Sequence, residues 1–121
     1  MPVFDLPLEE LKKYYGINPC PDNFDEYWNN AVMEIRAVDA KVQLIPGKFQ
    51  VPFADCFDLY FTGVRGARIH SKYIRPKNCS EPHPAILQFH GYPDNFSDWS
   101  DILGFVANGF SVAALDCRGQ G

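Results

Sequence analysis

Two short apolar runs in the last third of the chain, Ala85-Ile-Leu-Gln-Phe89 and Phe110-Ser-Val-Ala-Ala-Leu115, constrain the fold more than any other feature. Each has the length of a strand, and a nearly unbroken apolar run suits a strand buried on both faces. Between them Trp99, Ile102, Leu103 and Val106 recur at helical spacing. Ser97 or Asp98 can cap that helix, and Gly109 can stop it. Strand, helix and strand in this order predict a βαβ unit, with parallel strands and a right-handed crossover.

The residues before this unit carry two other patterns. From Cys56 to Thr62, Phe57, Leu59 and Phe61 alternate with Cys56, Asp58 and Tyr60. Gly63-Val-Arg-Gly66 turns the chain, and then Ala67, Ile69, Ser71, Tyr73 and Arg75 alternate with Arg68, His70, Lys72 and Ile74. Two such runs around a short Gly-flanked loop predict an antiparallel β-hairpin. Val42 to Ile45 reads as one more short strand, and Pro76 to Pro84 as a loop. Two helices open the chain. In the first, Asp5 caps, Pro7 suits the first turn, Leu8, Leu11 and Tyr14/Tyr15 share a face, and Gly16 supplies a left-handed stop. In the second, Asn23 and Glu26 have capping-box spacing, and Phe24, Tyr27, Trp28, Ala31, Val32, Ile35 and Val38 form one stripe, read as packing surface. The fold class expected is α/β: two amino-terminal helices, a β-hairpin and a parallel βαβ unit, together opening a mixed sheet within one domain.

Composition removes several function classes. With 11 Lys and Arg against 15 Asp and Glu, the net charge of −4 and the lack of a basic block give a phosphate backbone little to hold, so nucleic acid is not expected as a partner. A hydrophobic content of 46% is too high for a disordered chain, and the apolar runs are too short to span a bilayer. Met1-Pro-Val-Phe-Asp-Leu-Pro7 has neither the basic region nor the apolar core of a signal peptide, which favours a cytoplasmic chain. There Cys20, Cys56, Cys79 and Cys117 are expected as free thiols. No Cys-x-x-Cys occurs, and His83 and His90 lack a companion at helical spacing, so no metal site is expected. Gly91 stands alone where a dinucleotide loop needs three glycines, so a dinucleotide is not expected.

In an open parallel sheet, ligands bind beyond the carboxyl ends of the strands. Here those ends carry His90-Gly-Tyr92 and Asp116-Cys-Arg-Gly-Gln-Gly121. Gly91 lets the chain turn and Pro93 holds Tyr92 extended, so the Tyr92 N–H can be aimed at a fixed point. A loop between a buried strand and a helix is where α/β-hydrolases supply one oxyanion-hole amide. A nucleophile is harder to find. Ser111 follows a helix and lies inside a strand, the reverse of the order a nucleophile elbow requires, while Ser97 and Ser100 belong to a helix start. His70 and His83 read as surface residues, His90 as structural or lining a pocket. Asp116 reads as part of a turn, and Arg118 as a tie between loops through backbone carbonyls.

Three stretches, Phe4-Asp-Leu-Pro-Leu-Glu-Glu-Leu11, Phe61-Thr-Gly-Val-Arg-Gly-Ala-Arg-Ile69 and Asp116-Cys-Arg-Gly-Gln-Gly121, resemble the amino-terminal part of the acetyl xylan esterase and cephalosporin C deacetylase family of α/β-hydrolases. Phe24-Asp-Glu-Tyr-Trp28 and Gly91-Tyr92 fall between them in the family's order. The resemblance implies a serine carbohydrate esterase that removes acetyl groups from xylo-oligosaccharides and cephalosporin-type esters without a cofactor. It implies a cytoplasmic homo-oligomer, and it gives Tyr92 the role of oxyanion donor at the border of the substrate. It also implies that the catalytic Ser, Asp and His come after Gly121, so that this is a domain cut before its nucleophile elbow. Catalytic His90 is thereby refused, since the family's His comes from a carboxyl-terminal loop. A further implication is that Ala85–Phe89 loses a neighbouring strand and shows an open, aggregation-prone edge. The alternatives are a non-catalytic sugar-binding or assembly module, consistent with the missing nucleophile, and an α/β-hydrolase for another acyl ester.

Overall fold

The computed structural model describes residues 5–92, 94–96 and 98–120. The chain divides into two compact units, Met1–Met33 and Glu34–Gly121. The first holds α1 (Leu8–Leu11) and most of α2 (Phe24–Arg36), whose last turn belongs to the second.

α1 is a single turn, shorter than the helix to Tyr15 that the leucine and tyrosine spacing predicts. Asp5 does not cap it: its carboxylate accepts from the adjacent Leu6 N–H at 2.9 Å, and Pro7 at the N-cap has no side chain to offer. A turn that buries nothing gains little beyond its unfavourable nucleus, so it does not propagate. α2 is better supported. Asp25 and Glu26 in its first turn and Arg36 in its last oppose the helix dipole, and Trp28 takes edge contacts from Phe24 and Tyr27 at 6.2 and 5.4 Å. The apolar stripe forms as expected, with Ala31 and Val38 half-buried and the aromatic residues more open: Trp28 is 53% exposed and Tyr27 62%.

The second unit is a five-stranded sheet in the order β1-β2-β3-β5-β4, with β1 Gln43–Pro46, β2 Ala54–Thr62, β3 Arg68–Pro76, β4 Ala85–Phe89 and β5 Ser111–Leu115. β1, β2, β3 and β5 pair antiparallel, and β4 lies parallel to β5 with α3 (Trp99–Ala107) between them in sequence. The hairpin and the βαβ unit are thus both present. α3 is capped by a reciprocal pair, the Asp98 carboxylate accepting the Asp101 N–H and the Asp101 carboxylate the Asp98 N–H. Ser97, the other cap candidate, and Pro93 lie outside the described residues.

The register explains where the core sits. Cys56 faces Ile74, Ile74 faces Val112, and Val112 faces Ile86, which makes one apolar row across four strands. Ile102 and Val106 of α3 close over it, and Cys56, Ile74, Ile102 and Val112 are fully buried. Burying such an aliphatic side chain stabilises the fold by about 1.5–3 kcal/mol. The next row towards the carboxyl ends of the parallel strands is Asp58, Lys72, Ala114 and Gln88, and beyond it Tyr60 pairs with His70. On this face the sheet therefore passes from apolar to charged within two residues. On the opposite face Ser71 is buried and its hydroxyl donates to the Ala114 carbonyl at 2.8 Å, tying β3 to β5.

One expectation fails. β4 is not buried on both faces: Leu87 is 61% exposed and Phe89 58%, while Ile86 and Gln88 turn towards α3 and are half-buried. It is an edge strand with one face uncovered by the described residues, so its apolar run does not mean two-sided burial here.

Candidate functional site

Because β4 and β5 are parallel, the loops that leave them emerge at the same edge of the sheet. Three links join these loops to each other and to the hairpin. The Cys117 N–H donates to His90 Nε2 at 3.0 Å, and His90 Nδ1 lies 2.9 Å from the Gly91 carbonyl. A carbonyl can only accept, so Nδ1 carries the proton and Nε2 the lone pair, which fixes the neutral tautomer. The Phe96 N–H donates to Asp116 Oδ1 at 3.1 Å. Arg118 Nη1 donates to the Val64 carbonyl, in the turn of the hairpin, at 3.3 Å. His90, Asp116 and Arg118 thus serve as struts: for Arg118 this is the role read from the sequence, for His90 it is the structural one of the two roles read, and Asp116, read as part of a turn, instead ties the two loops together. Gly119 has φ 83°, a left-handed conformation that glycine adopts freely, and the Gln120 N–H closes this turn on the Cys117 carbonyl at 2.9 Å.

Tyr92 stands on this scaffold, 90% exposed. Its N–H meets no acceptor among the described residues, whereas the Asp94 N–H two residues on turns back to the Gly91 carbonyl at 2.9 Å. An unengaged amide on a braced loop can donate to an incoming oxygen without first breaking an internal bond. Gly91 plays a different part from the one expected of it. Its φ lies outside the left-handed region and an added Cβ would meet open space, so neither backbone nor neighbours among the described residues demand a glycine there.

Two histidines read as surface residues prove to be engaged. His83 Nε2 lies 2.7 Å from Ser111 Oγ, and His83 Nδ1 lies 3.1 Å from the Glu81 carbonyl and 3.2 Å from Cys79 Sγ. This serine–histidine pair is no acyl-transfer site: Ser111 is 5% exposed, follows α3 and opens β5, at the end of the strand away from Tyr92. His70 sits just beyond the charged row, opposite Tyr60. Its Nε2 is 3.0 Å from Asp58 Oδ1, its Nδ1 3.7 Å from Asp116 Oδ2, and its ring stacks on Tyr60 at 4.6 Å. Phe96 makes a T-shaped contact with the His70 ring at 5.1 Å, and Lys72 Nζ lies 4.2 Å from the Phe96 centroid. Sequence reasoning missed this cluster. The signal was the parity of the hairpin, which puts Asp58, Tyr60, His70 and Lys72 on the face of buried Cys56 and Ile74.

All four cysteines are free. Burial, and then the neighbouring Asp55 charge, push the Cys56 thiol above its ordinary value, with Lys77 opposing. Among the described residues no group of three or more His, Cys, Asp or Glu side chains could hold a metal ion, and no helix is long and apolar enough to cross a membrane.

The fold has counterparts among solved structures. The chain is similar to the crystal structure of acetyl xylan esterase 1 from Thermoanaerobacterium sp. JW/SL YS485, with 60% identity and a TM-score of 0.91 over 98% of this chain. It is similar also to an acetyl xylan esterase from Paenibacillus sp. R4, with 27% identity and a TM-score of 0.82 over 96% of this chain. It spans 37% and 38% of the length of those two proteins. The acetyl xylan esterase (AXE1) family model matches residues 1–121, the whole of the sequence. With the family model matching the whole sequence, the chain, with its hairpin and βαβ unit, belongs to the acetyl xylan esterase family.

Proposed function

We propose that this chain forms the amino-terminal part of a serine carbohydrate esterase and supplies one oxyanion donor, the Tyr92 N–H. The observation that carries the reading is this amide, on an exposed residue, without an acceptor among the described residues, and held on a loop tied to the turn after β5 through His90 and Asp116. In acetyl transfer the carbonyl oxygen becomes negative only as the nucleophile adds, so a donor waiting at that point stabilises the transition state more than the bound ester. Serine attacks, a histidine takes the proton and returns it to the leaving sugar hydroxyl, and an aspartate orients the histidine. In this proposal all three come from polypeptide outside these residues, and the chain by itself turns over no acetyl ester. The substrates are acetylated xylo-oligosaccharides and cephalosporin-type acetates, the enzyme is a cytoplasmic homo-oligomer, and it needs no cofactor.

The test compares two substitutions in the full-length polypeptide that carries this segment. Tyr92→Pro removes the amide hydrogen, whereas Tyr92→Ala removes the ring and keeps the donor. With acetylated xylo-oligosaccharide as substrate, Tyr92→Pro is expected to lose roughly 10²–10³-fold in kcat, with circular dichroism confirming that it folds, and Tyr92→Ala to lose less. Equal losses would remove the oxyanion role. Acetylated sugar bound but never hydrolysed by the full-length protein would favour a binding module, and turnover by residues 1–121 alone that Ser111→Ala abolishes would overturn the division of labour.

A further inference from the structure

We infer that His70 is a positioning residue for the oxyanion loop, acting on it through Phe96 and Asp116. The inference rests on the esterase reading above and adds to it a device for holding Tyr92 in place. Phe96, four residues after Tyr92, is gripped at three points. Its N–H donates to Asp116 Oδ1 at 3.1 Å, its ring meets the His70 imidazole in a T-shaped contact at 5.1 Å with the planes 78° apart, and Lys72 Nζ approaches its face at 4.2 Å.

His70 lies where these contacts meet. Its ring is fixed below by the Tyr60 stack, with planes 15° apart, and on one side by the 3.0 Å bond to Asp58. On the other side it faces Asp116 twice. Its carbonyl accepts the Asp116 N–H at 3.2 Å, and its Nδ1 lies 3.7 Å from Asp116 Oδ2, too long for a hydrogen bond but close enough to act on the charge. The Asp116 side chain is 14% exposed and that of Lys72 13%, so screening by water at this end of the sheet is weak. Lys72 also lies 3.9 Å from Asp98, the cap of α3, so the same row braces both ends of the segment between Phe96 and the helix. An imidazole stacked on Tyr60, bonded to Asp58 through Nε2 and set against both Phe96 and the Asp116 carboxylate is more than sheet stability calls for. What it gives is a rigid seat for Phe96, and through Phe96 for the loop that presents the Tyr92 amide.

The experiment uses three variants of the full-length polypeptide. His70→Phe keeps a ring for Tyr60 and Phe96 and loses both nitrogens. His70→Gln keeps a donor for Asp58 and loses the ring. Asp116→Asn keeps an acceptor for the Phe96 N–H and loses the charge. Two measurements are read: amide hydrogen exchange at Phe96, and kcat and KM for an acetyl ester. Both His70 variants are expected to speed exchange at Phe96 and to lower kcat about tenfold with KM within about twofold, as loss of alignment rather than of binding would. Because His70 acts through Asp116, Asp116→Asn combined with His70→Phe should be no worse than the worse single variant. Unchanged exchange at Phe96 in a folded His70 variant overturns the inference, and so does a KM effect without a kcat effect. If His70→Phe fails to fold, His70→Gln decides by the same criteria. If the full-length polypeptide hydrolyses no acetyl ester, the esterase reading fails, and exchange at Phe96 alone decides whether His70 holds the loop.

Discussion

Replacing His90 by Phe would cut the link between the two loops while nearly preserving side-chain volume. Two contacts are lost, the Cys117 N–H to Nε2 at 3.0 Å and Nδ1–H to the Gly91 carbonyl at 2.9 Å. They are not equal. Gly91 is exposed, so its carbonyl can turn to water at little cost. Cys117 is half-buried, and its N–H would be left facing a phenyl ring. An ordinary hydrogen bond contributes about 0.5–1.5 kcal/mol net, and a buried orphaned donor costs about 1–3 kcal/mol, so a half-buried one gives about 1–2 kcal/mol in all. His90→Gln can present an amide oxygen near the position of Nε2 but loses the Gly91 contact, and should recover roughly half of this. The assay is urea unfolding of the full-length polypeptide with amide exchange at Cys117, in the order wild type, His90→Gln, His90→Phe. Stability of His90→Phe within about 0.3 kcal/mol of wild type, well below the net value of one hydrogen bond, with Cys117 exchange unchanged, would refute the strut.

Three other outcomes are expected. Ile74→Ala, in the centre of the apolar row and fully buried, should cost about 2–5 kcal/mol of unfolding free energy; a loss below about 1 kcal/mol, roughly half the low end of that range, would mean the row is not the core. Cys56 should be the last thiol to be alkylated under native conditions, after exposed Cys20 and Cys79, because burial both shields it and raises its pKa above the ordinary 9.0. The sign for stability follows: the unfolded chain loses that proton first, so the contribution is full below 9.0 and is lost as pH rises through the raised value; a midpoint that rises with pH there only in the presence of Cys56, against a Cys56→Ala control, would contradict it. Finally, residues 1–121 in isolation should aggregate through the β4 edge, and Leu87→Lys should reduce the light scattering; a monodisperse wild-type chain with cooperative melting would exclude this.

Much of the fold was readable because it rests on local patterns. Alternation gave the hairpin, helical spacing with Asp98 and Gly109 gave α3, and two apolar runs around it gave the parallel pair. What could not be read depends on partners distant in sequence. Leu87 and Phe89 look like core residues by composition, yet they are exposed because they share the face of β4 that the described residues leave uncovered. Leu8, Leu11 and Tyr15 share a helical face, yet one turn forms because nothing packs on it. The Tyr92 loop was found from its place after a strand. The cluster around His70 was not, since only the β2–β3 and β3–β5 registers bring Asp58, His70 and Asp116 side by side.

The strand order also sets a schedule for the nascent chain. β2 and β3 can zip together soon after the turn at Val64–Gly66 leaves the ribosome, but β4 is made before β5, its neighbour in the sheet. At about 5–20 residues per second, roughly 1–5 s pass between the synthesis of Ala85 and that of Ser111, with which it pairs. During that interval Ile86, Leu87 and Phe89 have no strand to join, and a stall between Phe89 and Ser111 would leave a sticky ribbon in the care of chaperones.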